Sequence, residues 1–366
     1  ELGPLHRGRS LMGDPDAADL MVHEPYGVAL ALVPWNDPLA IACQMLGAAL
    51  VVGNVVILKP SERSPLSAIR LAEILADVFP AGVLSLVLGD ARVGRPLVAH
   101  PGVDVVMHTG SVRTGQEIAR VCAERGAHAV LELGGKDPLI VDAGVDPRWA
   151  AAQAASGAFA NAGQVCTSVE RIYVHRDVAD DFVAALAEEA RALRGGDPRD
   201  AATDVGPMVD REQRAIVESH VGDAVARGGR VVCGGATPGA PGAYFPPTVV
   251  VVPDDSSLLM REETFGPVAP VRVVDSFDEA LELADGTPYG LAASVLTPDM
   301  EHAQRAWRRL RVGTVKVNAV WGGAPGGAAH PRGASGHGLG YGPELMDELT
   351  RIKVVHVRPA PPAPAP

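Results

Sequence analysis

The chain has 366 residues, 47% hydrophobic and 21% charged, a balance that suits a globular protein of about two domains and excludes an intrinsically disordered one. A formal net charge of -12 leaves no basic face for phosphates, so nucleic-acid binding is excluded. Cys43, Cys122, Cys166 and Cys233 lie far apart without Cys-x-x-Cys spacing, and no apolar run reaches membrane-spanning length, so the chain reads as a soluble cytoplasmic protein with reduced thiols, no metal and no membrane partner.

Residues 1–25 are polar, with a strand expected over 19–23. The apolar strand over 27–33 runs into Pro34-Trp35-Asn36-Asp37-Pro38, where proline on both sides stiffens the loop and fixes where Asn36 points. Read alone, Asn36 is a turn residue bonded to its own backbone. A helix over 39–51 leads to Val55-Val56-Ile57-Leu58-Lys59-Pro60, a buried parallel strand with Lys59 at its carboxyl end, where open α/β sheets bind ligands. Ser64 and Pro65 predict the N-cap and first turn of a helix reaching to about Phe79.

Strands follow over 84–88 and 103–107. The second enters a turn over 108–115 that contains Gly110 and Ser111, and free N–H groups at such a strand-to-helix turn suit an anion. A plain turn would want the same glycines. Glu132 lies inside an apolar strand, where a carboxylate is costly unless it is paired or used. It reads equally as a general base with a raised pKa or as half of a salt bridge.

An alanine-rich helix over 149–162 runs through Gly163 and delivers Cys166 in a loop of small residues. A lone thiol is usually a buried hydrophobe, but these neighbours let a carbonyl approach and let main-chain N–H groups face its oxygen. Strand and helix alternate over 27–142, which predicts a parallel sheet covered by helices. The pattern resumes after Cys166, with helices over 177–194 and 211–227 and strands over 230–233, 248–252 and 268–274, so a second α/β domain is expected. Glu263 and Phe265 sit in the loop before the last of these. Helices over 278–284 and 300–310, a strand over 314–317, a glycine-rich loop over 322–342, a strand over 352–357 and an unstructured Pro-Ala tail over 359–366 complete the expectation.

Together these stretches resemble the aldehyde dehydrogenase superfamily over nearly the whole chain. Glu132-Leu133-Gly134-Gly135-Lys136 and Gly163-Gln164-Val165-Cys166 look like its two signature stretches. Pro34-Trp35-Asn36, Lys59-Pro60-Ser61-Glu62, Glu263-Thr264-Phe265-Gly266-Pro267 and Val317-Asn318 stand in the family's order. The resemblance implies an α/β fold with a Rossmann-like parallel-sheet cofactor domain over 26–134, a second α/β catalytic domain over 135–345 and a small β oligomerisation sheet from 1–25 with 350–358. It implies that Cys166 attacks the aldehyde, that Asn36 and the Cys166 N–H hold the oxyanion, and that Glu132 activates water to hydrolyse the thioester. Lys59 and Glu62 would hold the adenosine ribose, Gly110 and Ser111 the pyrophosphate, and Leu133, Glu263 and Phe265 the nicotinamide end. Glu62 favours NAD, since a carboxylate repels the 2'-phosphate of NADP, while the adjacent Arg63 offsets part of that and keeps NADP possible. A homodimer or homotetramer is implied.

Four features depart from the family pattern. His108 replaces the usual aromatic before Thr109-Gly110-Ser111, residues 323–333 lack the usual Pro-Phe-Gly-Gly, and Asp37 makes the substrate entrance more polar. The family's segment ahead of residues 1–25 has no counterpart, which implies a cofactor domain incomplete at its front. Two alternatives follow: a truncated, non-catalytic member acting in binding or oligomerisation, and a semialdehyde enzyme that acylates coenzyme A, against which the general base Glu132 argues. The aldehyde stays open. Arg171 and Arg332 can bind a substrate carboxylate or serve as solvated or paired arginines.

Overall fold

The computed structural model describes residues 8–11, 13–237, 239, 241–323, 327–361 and 363. Strands of continuous apolar sequence build two large sheets whose faces are covered by helices, and this meets the α/β expectation. The first sheet has six strands in the order Gly336–His337, His128–Leu133, Val105–Gly110, Val28–Val33, Val55–Pro60 and Leu84–Leu86. All neighbours are parallel except the first pair. Val28–Val33 is central, so both of its faces must be apolar. Leu30 packs with Val106, Ile118 and Leu131 on one side, and Ala29 and Ala31 pack with Met45 and Leu58 on the other.

The second sheet has seven strands, ordered Arg230–Cys233, Thr248–Val251, Val268–Val274, Arg171–His175, Pro138–Val141, Ala292–Leu296 and Thr314–Val317. Only the first pair is antiparallel. Helix Pro147–Phe159 buries Ala150, Ala151, Ala154, Ala155 and Ala158 against this sheet. With no side chain larger than a methyl at those positions, helix Arg176–Ala192 can pack closely beside it. A third, antiparallel sheet joins Gly8–Leu11, Ala18–Pro25 and Thr350–Val357. Residues 1–7 and 12 of the expected oligomerisation segment, and 362 and 364–366 of the expected tail, lie outside the described residues. Residues 359–361 and 363 have no regular secondary structure.

Several elements differ from the sequence reading. The helix after Pro65 spans only Leu66–Leu75, and the Ser64 hydroxyl is buried without a partner instead of capping it. Helix Ala91–Ala99 has no counterpart in the sequence reading; Gly94 and Pro96 inside it weaken any local helix signal. Strand Ala292–Leu296 was also missed. It is short and built of small residues, and only its place between Pro138–Val141 and Thr314–Val317 makes it a strand. The glycine-rich stretch 322–342, of which 324–326 lie outside the described residues, contains a 3-10 turn, Gly333–Ser335, and strand Gly336–His337, which returns to the first sheet. No helix among the described residues is long and apolar enough to cross a membrane. Among the described residues no group of three His, Cys, Asp or Glu side chains is placed to hold a metal ion.

Candidate active site

The carboxyl ends of Val28–Val33, Val55–Pro60, Val105–Gly110 and His128–Leu133 open into a cavity of about 810 Å³. Residues from the loops before Cys166 and Pro267 close its far wall. All ten site residues singled out from the sequence line it: Cys166, Glu132 and Asn36, and then Lys59, Glu62, Gly110, Ser111, Leu133, Glu263 and Phe265.

Cys166 owes its position to an unusual run of backbone. After helix Pro147–Phe159 the chain passes through Asn161 (φ 50°), Ala162 (φ 56°) and Gly163 (φ 70°), three successive residues in the left-handed region. A Cβ on Gly163 would lie 2.1 Å from the Gly266 carbonyl oxygen, so only glycine lets these two loops touch. The Gln164 amide locks the turn, donating to the Asn161 carbonyl at 3.0 Å and accepting from the Val209 N–H at 2.8 Å. Asn36 Nδ2 donates to the Gln164 carbonyl at 3.1 Å, across 128 residues of sequence. The asparagine therefore serves the cysteine loop and not its own turn.

Burial pushes the Cys166 thiol up to about 12, helped by the carboxylates of Asp137, Glu132 and Glu263 and opposed by the Thr167 main chain. It rests as a thiol and needs a base to become a nucleophile. Glu132 supplies a group of the right kind. Burial raises its pKa to about 8, opposed only by the Gly340 N–H, which donates to Oε1 at 3.1 Å. No cation contributes, so of the two sequence readings the salt bridge falls away.

Glu263 is raised to about 8 by burial and by the charge of Glu170, and its Oε1 accepts from the Gly135 N–H at 3.1 Å. Its neighbour Phe265 has φ 50° and meets Trp35 edge to face at 5.4 Å. Residues that sequence reasoning missed hold this strained loop. Glu170 accepts from Lys136 Nζ at 2.6 Å, from the Thr264 N–H at 2.8 Å and from the Phe265 N–H at 2.8 Å. Gln213 Nε2 donates to the carbonyls of Thr264 and Phe265 at 3.0 and 3.2 Å. Lys136 stood in a signature stretch, but Glu170 carried no signal beyond being an acid at the start of an apolar strand.

The opposite end of the cavity has donors. Lys59 Nζ donates to the Pro60 carbonyl at 2.9 Å, and burial lowers its pKa against the pull of Glu62 and Asp90. Ser111 caps helix Val112–Arg125, its Oγ accepting from the Thr114 N–H at 3.4 Å, and no acid occupies the first turn. Leu133 packs so closely on that helix that a Cβ on Gly115 would sit 2.3 Å from its Cδ2. A lysine, an acid and an acid-free helix N-terminus line this end and form a set that fits a dinucleotide.

The two arginines considered as substrate anchors lie elsewhere. Arg171 is buried and spends its guanidinium on the carbonyls of Lys136, Leu283 and Ala284. Arg332 is exposed and does not line the cavity.

The model of the aldehyde dehydrogenase family matches residues 3–355. Betaine aldehyde dehydrogenase of Cereibacter sphaeroides (strain ATCC 17029 / ATH 2.4.9) is 40% identical over 340 residues, covering 92% of this chain and 70% of that protein. The crystal structure of betaine aldehyde dehydrogenase from Staphylococcus aureus in complex with NAD+ superposes with a TM-score of 0.95 at 34% identity, covering 99% of this chain and 73% of that one. A 3,6-anhydro-L-galactose dehydrogenase, solved with NAP, gives a TM-score of 0.93 at 36% identity, covering 98% and 76%.

Proposed function

The chain belongs to the aldehyde dehydrogenase family, an oxidoreductase family acting on the aldehyde group with a nicotinamide cofactor, and from that premise we propose that it oxidises its aldehyde through a covalent intermediate on Cys166. The observation that carries this reading is the meeting of Cys166, Asn36 and Glu132 in one cavity, with Asn36 bonded into the cysteine loop.

Glu132 takes the Cys166 proton and passes it to solvent, and the thiolate attacks the aldehyde carbon. A C–S bond forms, and the carbonyl π pair moves onto oxygen, where the Asn36 amide and the Cys166 N–H stabilise the charge. The carbonyl then re-forms as hydride leaves carbon, giving a thioester on Cys166; the bound nicotinamide supplies the hydride acceptor. Ionised Glu132 takes a proton from water as its oxygen adds to the thioester carbon, and C–S cleavage releases the carboxylic acid and the thiolate. Lys59, Glu62, Gly110 and Ser111 hold the nucleotide end, and Leu133, Glu263 and Phe265 the nicotinamide end.

NAD is the favoured cofactor. Glu62 and Arg63 both line the cavity, and Arg63, the residue able to neutralise a 2'-phosphate, is engaged by Asp210 at 3.2 Å and Glu212 at 3.1 Å. The test is reduction of NAD and NADP, followed by absorbance with a panel of short aldehydes, for this chain and its Cys166→Ala variant. Turnover that vanishes in the variant and is faster with NAD is the expected result. Turnover that survives in Cys166→Ala would sink the covalent mechanism.

A further inference from the structure

Among the described residues, one group donates to the Glu132 carboxylate: the Gly340 N–H, which reaches Oε1 at 3.1 Å. Gly340 is buried, and a Cβ there would lie 2.1 Å from Glu132 Cγ, so only glycine lets the backbone come this close. The peptide that carries this N–H joins Leu339 to Gly340, and the peptides on either side of it are pinned from separate elements. Before it, the Leu339 N–H donates to Glu348 Oε1 at 3.0 Å, and Glu348 Oε2 meets His128 Nε2 at 2.7 Å. After it, the Gly340 carbonyl accepts from Gln44 Nε2 on helix Pro38–Val51. Each peptide is a rigid plane, so the middle one cannot turn its N–H away from Glu132 without disturbing one of these two bonds.

Gln44 is exposed, while Met45 and Leu46 beside it fill the core of the first sheet. Its contribution is the hydrogen bond to Gly340 and not packing. Its helix begins just after Asn36, so one rigid element follows the oxyanion residue and reaches the segment that holds the base. The titratable groups on the elements around Glu132 include His108 and His128 on the sheet, His337 on the returning strand, Arg113 and Glu117 on helix Val112–Arg125, and Cys166 and Glu263 across the cavity. None of these moves its proton affinity; apart from burial, only the Gly340 N–H acts on it.

We propose that Gln44 is a positioning residue for the general base: by holding the Gly340 carbonyl it keeps the Gly340 N–H aimed at the Glu132 carboxylate. This rests on reading Glu132 as the base and adds the support that fixes it. A hydrogen bond to the ionised carboxylate favours that form, so losing it raises the pH at which Glu132 becomes a base.

The test uses the intact chain and its Gln44→Met variant, which removes the donor at similar length, with turnover and the NADH burst followed against pH. The acid limb of both should move up by about 0.5 to 1 pH unit. At neutral pH turnover should then fall by about 3- to 10-fold and recover above the limb, while Tm and the calorimetric affinity for NAD stay at the parental values. Added to Glu132→Gln, the same substitution should lower the residual turnover no further, because Gln44 acts only through the base. An acid limb that stays in place, an equal loss at every pH, or a further loss in the double variant overturns the proposal while the reading of Glu132 stands. If Glu132→Gln turns over as fast as the parent, the base itself is misassigned and the proposal falls with it.

Discussion

Glu132 is half-buried and Glu170 buried, and their surroundings give the two acids opposite tasks. Glu132 is held by one main-chain N–H and has a pKa of about 8, so it carries a proton over most of the neutral range. Thioester hydrolysis should therefore slow as pH falls through about 8, and Glu132→Gln should lower turnover by about 10²- to 10⁴-fold and also slow the initial burst of NADH, read by stopped-flow absorbance, because thiol deprotonation and hydrolysis lose the same base. The stability sign follows from the same raised pKa. Between its unperturbed value of 4.5 and about 8 the folded chain keeps a proton that the unfolded chain has lost, so this group costs stability as pH rises through that window. Glu132→Gln should flatten that part of the Tm-against-pH curve; an unchanged slope would count against the raised pKa. Glu170 instead receives Lys136 and two N–H groups, and Lys136 is itself fully buried. Glu170→Gln leaves that ammonium unpaired and should cost about 3–5 kcal/mol in denaturant unfolding. Cys166, Asn36 and Glu132 were singled out through stretches that resemble the family, since alone Asn36 read as a turn residue and Glu132 equally as half of a salt bridge. Glu170 was not, since its partners come from segments 34 and 94 to 95 residues away.

At the level of elements, the turn between helix Pro147–Phe159 and Cys166 sets the geometry of the nucleophile. Gly163 combines a φ of 70° with contact to the Gly266 carbonyl, so Gly163→Ala faces both backbone strain and a collision. Either relief moves the cysteine loop away from Asn36 or pushes the loop of Glu263 and Phe265 out of place. Turnover should fall by about 10²-fold with far-UV circular dichroism unchanged, because misplacement of about 1 Å is enough. Near-parental activity in that variant would mean that the loop tolerates a shift. Elements with a strong local pattern, such as Val55–Pro60 and helix Arg176–Ala192, lie close to where the sequence put them. Ala91–Ala99 and Ala292–Leu296 were hidden because tertiary packing, and not local propensity, decides them: one carries a proline inside a helix, and the other is a strand of small residues flanked by parallel partners.

Across the whole molecule, the order of strands is the information that sequence withholds. Chain direction and alternation predict two parallel sheets, but neither says that Ala292–Leu296 lies between Pro138–Val141 and Thr314–Val317, or that Gly336–His337 returns to pair beside Glu132. That return links the small sheet to the cavity. Glu348, at the foot of Thr350–Val357, accepts from the Leu339 N–H at 3.0 Å, and the next residue, Gly340, donates to Glu132. Thr350–Val357 is an edge strand of eight residues, and Ile352 and Val354, which share one of its faces, are 59% and 64% exposed. A long apolar edge of this kind is a template for pairing with another chain. A homodimer or homotetramer that pairs through this edge would shield its apolar face. Val354→Lys places a charge on that face at little cost to the isolated chain, so sedimentation equilibrium should show a drop in assembly mass at micromolar concentration, with Tm falling only as far as the lost assembly contributes. Because Glu348 lies next to the edge and holds the segment that bonds Glu132, the smaller species should also hydrolyse its thioester more slowly. An unchanged mass in Val354→Lys, or a parent chain that sediments as a monomer, would remove this edge as an assembly contact and the coupling with it.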